Sequence, residues 1–114
     1  MKLRKTDRLF RKYALKYYDY TCARCGKKYS EDNCQGLHVS HYWSRSHEST
    51  RLDVSNCCLL CYGCHMLWGH GEEREKYREY MIKRLGQDGY DQLALKANTY
   101  KKRDDKLDEI VINS

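Results

Sequence analysis

The chain has 114 residues, no proline, a third of its residues charged and a net charge of +6. That length suits one small domain, near the lower limit of what an apolar core stabilises unaided, so a metal staple would make up the shortfall. No apolar run approaches the roughly 18 to 20 residues that a membrane-spanning helix needs, which argues against a membrane partner.

The charge is uneven. Residues 1–28 hold ten Lys/Arg against Asp7 and Asp19, whereas residues 29–114 hold twelve basic and fourteen acidic groups. A basic block at one end favours a polyanionic partner, because each phosphate neutralised releases counterions; a solvated helix face is the plain alternative. Within that block, Thr6 reads as a helix cap with Asp7 in the first turn. Leu9, Phe10, Tyr13 and Tyr17 recur at helical spacing, leaving Arg8, Arg11, Lys12 and Lys16 on the other face of a helix over about 6–18.

The helix leads into Cys22-Ala-Arg-Cys25, and a second Cys-x-x-Cys stands at Cys61-Tyr-Gly-Cys64. Two such knuckles offer four thiolates, the donor set of a tetrahedral structural zinc site. Cys58-Leu-Leu-Cys61 has the same spacing; Gly63 favours the Cys61/Cys64 pair because glycine permits the turn of a knuckle, while Leu59 and Leu60 read as buried strand. Seven cysteines cannot all pair as disulfides, and Met1-Lys2-Leu3-Arg4-Lys5 does not read as a secretory leader, so a reducing cytoplasm is expected. Cys34, Cys57 and Cys58 are then small apolar fillers or spare thiols.

Residues 26–60 separate the knuckles, more than a simple zinc ribbon needs, so a folded insertion is expected between them. From Leu37 the pattern is extended, with His38 and Ser40 on one face and Val39 and His41 on the other; a regular strand therefore does not let His38 and His41 share a metal. Residues 42–56 read as a polar loop with Arg45 and Arg51 available to phosphates, Asn56 to Leu60 as a second strand, and Tyr62 onward as a helix ending near Gly69. Glu72 and Glu73 suit the N-terminus of another helix that closes at Gly86, with Tyr77, Tyr80, Met81 and Leu85 on one face. A shorter helix over about 88–98 carries Tyr90, Leu93 and Ala97. The terminal Ile110-Val111-Ile112 is too short to assign.

Strand, loop, strand and helix, with His41 ending the first strand, Asn56 opening the second and His65 after the knuckle, resembles the ββα-metal (His-Me) finger of the HNH endonuclease family, in particular its compact phage and prophage members. The resemblance covers residues 22–70, and its most specific part is the ordered set His41, Asn56, Cys61, Cys64 and His65. It implies an α+β fold in one domain: a basic N-terminal helix (1–21), a zinc-stapled ββα finger (22–70), and C-terminal helices and tail (71–114). It further implies hydrolysis of DNA phosphodiesters, by nicking or by double-strand cutting as a homodimer, in a bacterial or phage-infected cell.

In that pattern His41 activates water, Asn56 braces the loop that orients it, and His65 holds a catalytic Mg2+ or Mn2+. The chemistry agrees: a neutral imidazole can take a proton near neutrality, and an amide can only donate and accept hydrogen bonds. The chain departs from many members at Ser40, where an acidic metal ligand would stand, and a hydroxyl is a poor ligand for a hard cation. His41, His38, Asp53 and His70 are the candidates for the further ligand. The main rival is a zinc-dependent module that binds nucleic acid without cutting it.

Overall fold

A computed structural model describes residues 3–113; the reading of Met1 and Lys2 lies outside them, as does Ser114. Helix α1 spans Lys5–Tyr17, and its cap is Arg4, not Thr6. The Arg4 backbone N–H donates to the Asp7 carboxylate at 2.8 Å, the return half of a capping box. Thr6 is buried instead, and the apolar stripe is turned from the expected one: Phe10, Ala14 and Leu15 enter the core, while Tyr13 and Tyr17 are exposed. Tyrosine is as content half-wet as packed, so its spacing marks a helix without marking its inner face.

Past α1 the backbone reverses through Asp19 and Tyr20, both at φ 53°, and the first knuckle closes at Gly26 with φ 79°. Positive φ at Gly26 carries no steric cost, and its N–H donates to the Cys22 carbonyl at 2.9 Å. Strands β1 (Leu37–His41) and β2 (Cys57–Cys61) pair antiparallel, with Leu37 opposite Cys61 and His41 opposite Cys57. The loop between them holds two short 3-10 turns, Glu48–Thr50 and Val54–Asn56. Asn56 thus ends a turn instead of opening the strand.

Helix α2 (Tyr62–Trp68) follows β2 directly, so the expected strand, loop, strand and helix order is present. Helix α3 (Arg74–Ala97) is bent at Gly86, where φ 76° and ψ 161° break the helical path, in keeping with the two helices expected there. Helix α4 (Asp105–Asn113) covers the stretch that could not be assigned; it lies on α1, with Lys5 and Glu109 paired at 2.9 Å.

The main core gathers Leu37, Leu59 and Leu60 from the ribbon with Trp68, Tyr77, Met81 and Leu93 from α2 and α3. A smaller cluster joins Phe10, Ala14 and Cys57, with Ile112 of α4 packed against it. Cys57 and Cys58 are fully buried, as expected of apolar fillers. Among the described residues no helix is long and apolar enough to cross a membrane.

Candidate functional site

The two knuckles converge. The Sγ atoms of Cys22, Cys25, Cys61 and Cys64 all lie within 4.8 Å of one another, and those of Cys25 and Cys61 are 3.9 Å apart. Four thiolates about 2.3 Å from one zinc ion would stand about 3.8 Å apart, so the donor set and its spacing fit structural zinc. Burial opposes ionisation of Cys22, but the backbone N–H groups of Cys25, Cys61 and Arg24 outweigh it and bring the thiol down to about 7. The rival pairing fails: Cys58 faces the core, its Sγ 3.4 Å from the Tyr77 hydroxyl. No local pattern in the sequence marks Arg24, which sits between the two cysteines of the first knuckle. It donates to Cys64 Sγ at 3.5 Å and grips Glu73 through Nε and Nη2 at 3.0 and 2.9 Å, tying the knuckles to the start of α3.

A cavity of about 520 Å³ opens beside the finger, lined by His38 and His41 of β1, His65 of α2, Arg8 and Arg11 of α1, and Arg45 of the loop. Strand alternation sends His38 and His41 to opposite faces, yet both line this cavity, as does Val39 between them. His41 Nε2 lies 2.8 Å from the Arg51 carbonyl. A carbonyl only accepts, so Nε2 carries the proton and Nδ1 keeps its lone pair. Burial holds the His41 pKa below the ordinary imidazole value; the Arg51 carbonyl opposes this and the Arg45 cation reinforces it. The ring is therefore neutral at neutral pH.

Asn56, fully buried, closes the loop that bears this carbonyl. Its Oδ1 accepts from the Trp43 N–H at 2.9 Å, and its Nδ2 donates to the carbonyls of Trp43 at 2.9 Å and Thr50 at 3.2 Å. One amide thus spans both ends of the loop next to the His41 acceptor.

His65 and His38 meet with their Nδ1 atoms 2.9 Å apart, and the exposed His70 ring lies 5.0 Å from His65, tilted by 44°. Burial, then the fields of His38, His70 and His41, pull the His65 pKa down to about 4, so its nitrogens are free of the second proton that would block a metal. The 2.9 Å contact is an N–H···N hydrogen bond in which one Nδ1 donates; its length also equals the spacing of about 3.0 Å between neighbouring donors of an octahedral ion at about 2.1 Å, a position both nitrogens could take only with that proton moved to Nε2. Gly69 makes room for the His65 ring: a Cβ there would lie 2.5 Å from His65 Cδ2.

Other expected site residues lie elsewhere. Asp53 pairs with Lys96 at 2.6 Å, caps the turn at Ser55 and does not line the histidine cavity. Arg51 is not a phosphate contact: its guanidinium is 1% exposed and locked on Asp7, because burying a guanidinium demands a carboxylate partner. Arg11 is half-committed, donating to the carbonyls of Leu37 at 2.8 Å and Cys34 at 3.0 Å. Ser40 points away from the cavity into the core, 3.0 Å from the Tyr77 hydroxyl. Arg8, Lys12 and Lys16 remain exposed on α1, and neither Arg8 nor Arg45 is paired with a carboxylate among the described residues.

Over 70 residues the chain is 36% identical to the "Putative HNH nuclease YajD" of Escherichia coli K12, covering 61% of this chain and 56% of that protein. The chain is similar to a protein named as an HNH nuclease. The protein of the same name from Shigella flexneri matches at 36% and that from Salmonella typhimurium LT2 at 34%, over the same shares of each chain. The chain spans about half the length of the curated relatives it matches. No family profile and no solved structure matches it. Similarity and the four-cysteine cluster together support a metal-dependent, nuclease-like protein with a zinc-stapled ββα module.

Proposed function

We propose that the chain is an HNH endonuclease that hydrolyses DNA phosphodiester bonds, with residues 22–70 as its finger and the flanking helices as support within one domain. The observation that carries this reading is the setting of His41: a ring pinned through Nε2 on the Arg51 carbonyl, which leaves Nδ1 its lone pair, in the wall of a cavity also lined by His65 and three arginines. His41 Nδ1 takes the proton of the attacking water while Nε2 keeps its own on the carbonyl, so the imidazolium that forms stays oriented. Asn56 keeps the loop from relaxing as that charge appears. Arg8 and Arg45 receive the non-bridging phosphate oxygens and offset their charge.

His65, with His38 beside it, would hold Mg2+ or Mn2+, and the imidazole donors favour manganese. When bound, such an ion polarises the phosphate and stabilises the negative charge that gathers on phosphorus and the leaving oxygen. Zinc at the four cysteines is structural and takes no part in the chemistry.

One observation favours the rival, a zinc module that binds nucleic acid without cutting: the one carboxylate lining the cavity among the described residues, Asp7, is engaged by Arg51. Supercoiled plasmid decides between them. Zinc-loaded wild type with added Mn2+ or Mg2+ should give open-circle or linear DNA, and His41→Ala should bind without cutting. Wild type that binds and never cuts with either ion would hand the case to the binding module.

A further inference from the structure

We infer that Asp7 and Arg51 form a second brace for His41, which makes α1 part of the active-site framework as well as a DNA-facing helix. The inference rests on the nuclease reading for its kinetic consequence but not for its geometry. Arg51 does two things at once. Its carbonyl accepts the His41 Nε2 proton at 2.8 Å, and its guanidinium meets Asp7 in a two-pronged pair, Nε to Oδ1 at 3.0 Å and Nη2 to Oδ2 at 2.6 Å. The remaining prong, Nη1, donates to the Arg45 carbonyl at 2.8 Å, closing the loop from Arg45 to Arg51 on itself.

Asp7 is as firmly held: its carboxylate also accepts the Arg4 N–H at 2.8 Å at the start of α1. A second tie, Arg4 to Glu48 at 2.9 Å, fastens the same helix end to the turn that precedes Arg51. Phe10, one turn further along α1, lies against the His41 ring at 6.0 Å between centroids. The base is thus held from the finger by Asn56 and from α1 by Asp7 acting through Arg51. Asp7 and Arg51 are positioning residues; neither touches substrate. A planar guanidinium suits the task because its fork meets a carboxylate at two points and leaves a third donor for the loop, which a lysine cannot do.

The test uses full-length, zinc-loaded protein, with Asp7→Asn, Arg51→Lys and wild type compared for zinc content, circular dichroism, DNA affinity, single-turnover cleavage and the His41 tautomer by ¹⁵N NMR. Wild type is expected to show His41 as the Nε2–H tautomer. The two variants, folded and zinc-loaded, are expected to lose about 100-fold in kcat with DNA affinity within about 2-fold, and to show a mixture of His41 tautomers. Arg51→Lys, which keeps the charge but not the fork, should not rescue.

Folded variants that cut within 2-fold of wild type and keep a pure Nε2–H tautomer would overturn the proposal. If a variant fails to fold, wild type decides alone: a His41 Nδ1–H tautomer, or an Arg51 Nε–H that exchanges as fast as in an exposed arginine, overturns it. A protein that shows the tautomer shift but never cuts DNA would defeat the nuclease reading and leave the brace standing.

Discussion

At the scale of single residues the proposed chemistry rests on imidazoles kept neutral. The His41 pKa is lowered by burial, so in the folded state it lies below its unfolded value. The stability tied to the neutral ring is present above the ordinary imidazole pKa and is lost as pH falls through the lowered one. The same shift moves catalysis: the acid limb of a kcat/KM profile should lie below about pH 6.5, the unperturbed value. Arg45→Gln, which removes a cation that depresses this pKa, should move the limb upward. Asn56→Ala should destabilise the zinc-loaded protein by about 3 kcal/mol in urea unfolding, since it strands buried groups at Trp43 and Thr50. Gly69→Ala should weaken Mn2+ binding about 10-fold, read by EPR, without loss of zinc, because its Cβ drives into the His65 ring while the cysteines are untouched.

At the scale of elements, α1 divides its labour by face. Its exposed row, Arg8, Lys12 and Lys16, recurs every fourth residue and begins at the histidine cavity; Arg11, off that row, is bonded to the backbone at the start of β1 and just ahead of it. Neutralising Arg8, Lys12 and Lys16 together should reduce the slope of log Kobs against log salt by about 2 to 3 on duplex DNA, measured by fluorescence anisotropy. Arg11→Gln should leave the slope unchanged and lower the unfolding midpoint. The helix itself was legible in its spacing and caps, but its inner face was not. An aspartate in a first turn reads as a dipole partner, and only the approach of Arg51, 44 residues away, makes it the anchor of a buried pair.

For the molecule as a whole, a zinc ion at the four cysteines is expected to decide whether the finger folds. The four-cysteine site joins the turn after α1 to the junction of β2 and α2, and Arg24 carries that junction on to α3 through Glu73. Removing zinc with a strong chelator should abolish the circular dichroism and the cleavage together, whereas removing the weakly held divalent ion should abolish cleavage alone. Cys25→Ser is expected to lower bound zinc and to shift thermal unfolding downward by an amount that falls as zinc is raised.

Local chemistry was readable because it is written in short spacings. Two Cys-x-x-Cys knuckles state a metal, Gly86 states a break in a helix, and His41, Asn56 and His65 in order point to one finger. Each signal spans a few residues whose geometry the backbone dictates. What the sequence alone did not decide was which charged and polar groups are spent inside the protein. Arg51 and Arg11 look as available for phosphate as Arg8 and Arg45, and Asp53 looks as good a ligand as any carboxylate; only tertiary packing pairs Arg51 with Asp7, Arg11 with two carbonyls and Asp53 with Lys96. It also brings His38 to His65 across 27 positions. The physical reason is that burial makes a polar group find a partner, and who is near enough to serve depends on how distant segments meet, which no local pattern records.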